Sequence, residues 1–131
     1  MLFTDTITIY NCVKTAQGET WHRSVLDHVM VTIATEKIIA SNGTLTHKPV
    51  ISVTIPKRSG YVDAKEYSGT GWTAGLDNLD IITLDKCDTE ITANFSITQL
   101  KKSRPNTWTI KSIEDNTMRT FLPHWVIKCE A

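Results

Sequence analysis

The sequence has few of the residues that mark the common functional classes of small proteins. Its three cysteines, Cys12, Cys87 and Cys129, are an odd number at wide spacing, which is typical of a reduced protein rather than a disulfide framework. Fourteen acidic residues balance fourteen basic ones, so no global field recruits nucleic acid or an anionic membrane. The first residues, MLFTDTITIY, contain no basic segment and no long apolar run. We therefore expect a cytosolic chain without a membrane span.

Catalytic and metal-binding motifs are also missing. The chain contains no Gly-x-Ser-x-Gly elbow, phosphate-binding glycine loop or dinucleotide fingerprint. In an extended strand His22 and His28 would stand about 20 Å apart, too far to share a metal ion. His124 and Cys129, five residues apart, would point to opposite faces of a strand. We expect no catalytic residue, no metal and no cofactor, although an enzyme whose groups meet only in space stays an alternative.

Alternation of apolar and polar residues predicts strands in the first half. Ile7 and Ile9 share one face of TITIY, and NCVKTAQGET is predicted to be a loop. A long strand should begin at ETWHRSVLDHVMV and form a hairpin with the first strand. Asn42-Gly43 predicts a type I′ turn before the strand HKPVISVTIP. One face of the long strand should carry its apolar side chains: Trp21, Val25, Val29, Val31 and Ile33.

The second half completes a mainly β fold. DIITL and TEITANF are predicted strands, and Ser96 and Gln99 have the capping-box spacing of a short helix. PNTWTIKSI and LPHWVIKC should form a closing hairpin about the polar sequence EDNT. We predict one domain over residues 1–131, a small β-barrel or sandwich with a long inserted loop or hairpin and one short helix.

The regular pattern lapses after Pro56, where PKRSGYVDAKEYSGTGW scatters glycines among charges and aromatics. We expect a loop that projects from the barrel over about residues 56–76, because structureless connections of that length are commonly functional. The alternative is an ordinary mobile surface hairpin. Trp72 should be exposed, whereas Trp21, Trp108 and Trp125 should lie in the core. The candidate contacts with DNA or a neighbouring subunit are Lys57, Arg58, Tyr61, Lys65, Tyr67 and Trp72.

Two short segments carry opposite charge. Residues 77–90 contain five acidic side chains and one lysine, and residues 101–111 contain four basic side chains and no acidic one. If the two patches lie on opposite sides, head-to-tail contacts between them can close a ring. A solvated acidic rim is the alternative for the first segment. The candidate ring-interface residues are Asp80, Asp85, Asp88, Lys101, Lys102 and Arg104.

The order of these motifs also resembles a known family. TITIYN, a loop, WHRSVL, VTIP followed by Tyr61, then DII, TIKSIEDN and PHWVI occur along nearly the whole chain. This order is similar to that of small head-tail connector proteins, namely head-closure (stopper) or minor capsid proteins, of tailed phages that infect Gram-positive bacteria. The chain departs from the pattern at Leu79, since a glycine often precedes the Asp-x-Ile element in the family.

The resemblance implies a structural virion protein of the phage neck. Such a protein is made in the host cytoplasm and forms a ring, of 6 or 12 copies, between the portal or adaptor and the tail-terminator or tail-tube proteins. The ring closes the DNA channel, with non-specific contact to packaged DNA, and provides the tail docking surface. His22 and Arg23 would then be hydrogen-bonding or interface residues at a strand end.

Two further functions stay open at this point. The chain could be an adjacent neck protein, such as an adaptor or tail-completion protein. It could also be an oligonucleotide-binding barrel that stacks bases on its tryptophans beside the basic stretch KKSRPNTWTIK.

Overall fold

Six antiparallel strands close into a barrel in the computed structural model, which describes residues 3–16, 18–75, 80–91 and 96–130. The order around the barrel is β1-β2-β3-β6-β5-β4, and the pairing of β4 with β1 closes it. The prediction of a mainly β fold with one short helix is confirmed. The elements are β1 Asp5–Thr15, β2 Gly18–Ile39, β3 Leu45–Pro56, β4 Ile81–Leu84, α1 Ile97–Ser103, β5 Thr107–Asn116 and β6 His124–Glu130.

The barrel interior is filled by alternate side chains from its strands. Trp108 and Trp125 are buried there, as predicted. Their large apolar rings stabilise the core because each removes much hydrocarbon surface from water. The aliphatic residues around them include Ile7, Ile9, Val29, Ile51, Val53, Ile55, Ile82 and Ile127.

The first hairpin is longer than the sequence indicates. β1 continues through NCVKT and pairs with β2 as far as Thr15 and Gly18, so the prediction of a loop over NCVKTAQGET is wrong. Asn11 and Cys12 are buried strand residues. Asn11 is tolerated there because its amide nitrogen donates to the backbone oxygen of Thr73 at 2.6 Å.

A bulge in β2 divides the predicted apolar face of that strand: Val29 and Val31 face the main core as predicted, but Val25 does not. The β1–β2 register shifts between Asp5 and Ile7, and His28 has a φ of 53°. Because of the extra residue, the successive buried positions Leu26 and Val29 are three residues apart instead of two. Val25 is consequently 38% exposed.

A second, smaller apolar cluster lies beneath the helix. The Ser96 side chain accepts from the backbone N–H of Gln99, and the Gln99 side chain accepts from that of Ser96, which confirms the capping box. The helix buries Leu100 against this cluster, and Trp21 packs there half-buried rather than in the main core. The strand predicted over TEITANF does not form at residues 89–91, and residues 92–95 lie outside the described ranges. The other members of the cluster are Tyr10, Ile81 and Cys87.

Candidate functional site

The longest strand leaves the barrel. β2 has 22 residues, which at about 3.3 Å each span roughly 70 Å. Beyond the pair Ile33 and Ile51, β2 and β3 pair only with each other, as far as Ile39 and Leu45. We call residues 34–50 the arm. All of its residues except Lys48 and Val50 are exposed.

The arm turns where the sequence predicts, but with a different geometry. Gly43 N–H donates to Ala40 O, and Ala40 N–H donates to Thr44 O, both at 2.9 Å. Only Gly43 of the Asn42-Gly43 pair has a positive φ, 86°. The connection is therefore a three-residue loop ending in a left-handed glycine, not the predicted type I′ turn, which needs positive φ at both central residues.

One face of the arm continues the interior face of the barrel. The side chains of Ile33, Ile39 and Leu45 lie on it and are exposed, because no strand or helix among the described residues covers this part of the sheet. Between them this face carries polar positions, including Lys37 opposite His47. The face is thus apolar at both ends and polar in its middle.

A second exposed apolar surface lies at the opposite end of β3. The connection between β5 and β6, residues 117–123, carries Met118 and Phe121, which are 93% and 88% exposed. We call it the apolar loop. It is adjacent to the end of β3, since Lys57 N–H donates to Pro123 O at 2.9 Å. Along β3, the last residue of the arm, Val50, lies about 23 Å from Lys57 beside the apolar loop.

The segment that was predicted to project is anchored on the barrel. Trp72 N–H donates to Gly60 O, and Val62 N–H donates to Trp72 O, both at 2.9 Å. The Trp72 ring lies 5.2 Å from that of Trp125 and 5.1 Å from that of Tyr61. Trp72 is only 3% exposed, so its prediction as an exposed contact is wrong. The ring extends the barrel core, where its burial is favourable.

Arg58, predicted to contact DNA, is bound within the chain. Its Nη1 donates to Asp27 O at 2.6 Å, and its Nη2 donates to His28 O at 3.0 Å. These two carbonyls belong to the bulge in β2, whose ladder is interrupted there. Arg58 therefore stabilises the bulge.

The other predicted loop contacts divide into packed and free side chains. Tyr67 is half-buried with its ring edge-on to that of His22, at 6.2 Å. Burial raises the pKa of Tyr67, and the nearby Asp80 carboxylate raises it further. Lys57 and Lys65 are exposed, so these two cations are available to a polyanion.

Asp80 is a buried clamp rather than a surface charge. Its carboxylate accepts hydrogen bonds from Cys12 N–H, Asn11 Nδ2 and Gly75 N–H, each at 2.9 Å. Burial raises the pKa of Asp80, and these three donors oppose the rise. The prediction of Asp80 at a ring interface is therefore wrong: it ties β1 to the segment that follows Trp72.

The remaining charged candidates do not separate onto opposite sides. Asp85 and Arg104 line one surface groove of about 260 Å³. Arg104 Nε donates to Thr83 Oγ1 at 3.0 Å, so this guanidinium is engaged within the chain. Lys101 and Lys102 are exposed in the last turn of α1. Because Asp85 and Arg104 are neighbours, the expected separation of acidic and basic patches does not hold for them.

Arg23 fulfils its predicted role as a hydrogen-bonding residue. Its guanidinium lies 2.7 Å from Glu90 Oε1 and 3.7 Å from Asp88 Oδ1, and it donates to Cys87 O at 2.9 Å. Asp88, a predicted ring-interface residue, is exposed beside it. Arg23 thereby holds the segment after β4 against β2.

The thiol of Cys87 has polar neighbours. The Tyr10 hydroxyl lies 3.1 Å from Cys87 Sγ and donates to Thr89 O at 2.6 Å. Burial acts to raise the pKa of Cys87, but hydrogen bonds with Tyr10 and Thr89 together with the positive charge of Arg104 outweigh it, so the pKa is lowered. The thiol is almost fully buried, so it offers no access to a substrate in this conformation.

Two kinds of feature are absent from the described ranges. No three side chains of His, Cys, Asp or Glu gather closely enough there to hold a metal ion. No helix in those ranges is long and apolar enough to cross a membrane.

The tryptophans do not provide a stacking platform at the surface. Trp72, Trp108 and Trp125 are buried in the main core, and Trp21 is half-buried beneath the helix. An oligonucleotide-binding barrel needs exposed aromatic faces on which bases can stack. The observed packing therefore removes the main support for that alternative.

Sequence reasoning missed both the arm and the apolar loop. The arm had a partial signal: the segments on both sides of Asn42-Gly43 continue for longer than the roughly 3–10 residues of an ordinary strand, although polar runs at residues 35–37 and 46–48 interrupt the alternation. The apolar loop had a weaker one, since Met118, Phe121 and Leu122 interrupt an otherwise polar connection. Unpartnered apolar side chains of this kind mark interaction surfaces.

The fold and its exposed segments define a closed antiparallel barrel with one projecting arm. The chain belongs to the family of unknown function DUF6751, whose profile matches residues 2–130. Neither the curated proteins nor the solved structures contain a match to this chain.

Proposed function

We propose that the protein is a structural subunit of a phage neck. In this role, copies of the barrel form a ring between the portal or adaptor and the tail. The observation that carries the proposal is the pair of exposed apolar surfaces, the arm and the apolar loop, at opposite ends of one closed barrel. A subunit that joins two other components needs two separate contact surfaces.

The chemistry of the two surfaces supports an assembly role. Met118 and Phe121 extend into solvent with almost no contact to their own barrel, and such side chains become stabilising only when a partner covers them. The exposed Lys57 lies beside this loop. It could face DNA phosphate if that end of the barrel lines a channel.

The proposal is tested in particles of the virus whose genome encodes the chain. Purified particles should contain the protein, and labelling should locate it at the head-tail joint. The double substitution Met118→Ser with Phe121→Ser should leave the barrel folded and yield heads without tails. Val25→Ser is the matched control, because it removes an exposed apolar residue from the barrel wall. Absence of the protein from particles, or normal joining in the double variant, would contradict the proposal.

A further inference from the structure

The arm has two free edges whose hydrogen-bonding groups can be assigned. The bond from Ala40 N–H to Thr44 O sets the phase of the ladder, so even-numbered residues of β2 bond to β3. The N–H and C=O groups of its odd-numbered residues therefore point away from β3. Val31 agrees with this phase, because its N–H donates outward to Asp5 Oδ2 at 2.9 Å.

The two edges are protected to different degrees. On the β3 edge Pro49 has no N–H to donate, and Lys48 Nζ lies 4.0 Å from Glu130 Oε2 at the end of β6. Proline and lysine are common devices against strand addition. On the β2 edge the Val31 N–H is bound by the Asp5 carboxylate, and residues 33–39 contain Lys37 but no proline, so every N–H of that stretch is present. The β2 edge is the open one.

We propose that two copies of this chain pair through the β2 edges of their arms. The strands run antiparallel about a two-fold axis that passes beside residue 36, which extends the two arms into one four-stranded sheet. This inference does not rest on the neck function, because it concerns the subunit before it joins any larger assembly. The dimer would shield an edge that otherwise favours aggregation.

The pattern of the arm is self-complementary in this register. Ile33 of one copy lies opposite Ile39 of the other, and Thr35 lies opposite Lys37. Since Leu45 already neighbours Ile39 across the β2–β3 ladder, each end of the new sheet gains a continuous aliphatic row. The polar positions meet only polar positions. Moving one strand by a single residue would pair odd-numbered with even-numbered positions, whose side chains lie on opposite faces of the sheet. Antiparallel pairing does not allow this, because directly opposed residues share a face.

One contact in this register is unfavourable, and it provides a test of the register. The two Glu36 side chains face each other at the axis, each with Lys48 of its own copy on its other side. Like charges directly opposite weaken a pair of strands. Glu36→Gln should therefore tighten the dimer, whereas a random surface contact would not respond. The paired edges are short compared with the roughly 800 Å² per partner of a standard interface, so we expect a weak, concentration-dependent dimer.

A matched pair of proline variants tests the edge. Thr35→Pro removes an outward N–H of the β2 edge without breaking the β2–β3 ladder, and His47→Pro does the same on the β3 edge. Sedimentation of the full chain should show dimers for the native protein and His47→Pro. The dissociation constant of Thr35→Pro should rise by about tenfold or more, since the symmetric interface loses two hydrogen bonds. A native protein that stays monomeric, or equal behaviour of the two variants, would overturn the proposal.

A cysteine substitution tests the register. The native cysteines are buried, so Glu36→Cys introduces one accessible thiol beside the proposed axis. Opposed residues in a non-hydrogen-bonded antiparallel pair lie about 4.5 Å apart at Cα, which suits a disulfide. Glu36→Cys should oxidise to a covalent dimer, and Thr46→Cys, on the same face of β3, should not. The reverse result, or equal crosslinking, would exclude this register.

Discussion

Ile33 and Ile51 face each other across the same ladder, yet Ile33 is 54% exposed and Ile51 is 1% exposed. The two side chains have the same chemistry and lie on the same face of the β2–β3 sheet. They differ because Ile51 has Cys129 of β6 on its other side, whereas among the described residues β1 pairs with β2 only as far as Asp5 and Val29. Whether a side chain of the β2–β3 ladder is buried therefore depends on whether a further strand pairs beside it.

The same contrast separates the barrel from the arm as a whole. Where β3 pairs with both β2 and β6, its inward residues Ile51 and Val53 are buried. Where it pairs with β2 alone, Leu45 is exposed. Two strands cannot bury an apolar face by themselves. The apolar side chains of the arm therefore either stay exposed to solvent or are covered by a partner.

Truncation of the two facing isoleucines should show the largest difference. Ile51→Ala should lower the free energy of unfolding by about 2–5 kcal/mol, because it leaves a cavity in the core. Ile33→Ala should cost no more than about 0.5 kcal/mol, as surface substitutions do. Urea unfolding of the isolated protein at low concentration measures both. Equal losses would mean that the arm packs as tightly as the barrel.

Two left-handed glycines extend the comparison to the backbone. Gly43 in the arm and Gly71 beside the barrel have φ values of 86° and 82°, so alanine at either position costs about 1–2 kcal/mol in strain. A Cβ at Gly43 would meet nothing within 4 Å, but one at Gly71 would collide with Gly60 O. Gly71→Ala should therefore lose about 1–3 kcal/mol more than Gly43→Ala. Thermal unfolding of the two alanine variants measures this difference. Equal losses would show that the segment around Gly71 moves freely enough to accommodate the added methyl group.

Thiol reactivity should separate the two regions without a change in stability. Burial raises the pKa of Cys129 to about 12, so its thiol stays protonated and covered at pH 8. A thiol introduced by Thr35→Cys lies on the exposed arm. We expect a chromogenic disulfide reagent to label this added thiol rapidly and the native chain slowly. Rapid labelling of the native chain, assigned to Cys129 by peptide mass spectrometry, would show that the barrel opens at β6.

The smallest effect concerns the apolar loop, the second exposed region. Hydrogen bonds from the Thr117 side chain and backbone lower the pKa of Asp115. A lowered folded-state pKa stabilises the protein above the unfolded-state pKa of Asp, about 3.9, and this stabilisation is lost as the pH falls through the folded-state value. Thr117→Val should cost less than about 1 kcal/mol at pH 7, since the group is exposed. The difference in unfolding free energy between Thr117→Val and the native chain should vanish in acid. A pH-independent difference would show that it does not come from the Asp115 carboxylate.

Several elements could be predicted because their signals are local. The capping box of Ser96 and Gln99 needs only four consecutive residues, and the short strand at Ile81 follows directly from its aliphatic composition. The site was less accessible to prediction. Trp72 lies in a glycine-rich segment that has no strand period, so its burial against Trp125 depends on a residue more than 50 positions away. Asp80 was assigned to the surface from its acidic neighbours, although it meets its donors on β1.

The sequence by itself determined the strand-forming alternation, the helix start, the place of the arm's turn and the mainly β class. Only the tertiary structure decided which alternating residues are buried. The bulge at His28 shifts the inward positions of β2, and the β1–β4 and β3–β6 pairings cover some faces and leave others open. The physical reason is that periodicity assigns side chains to a face of one strand. Whether that face is removed from water depends on strands that are distant in sequence.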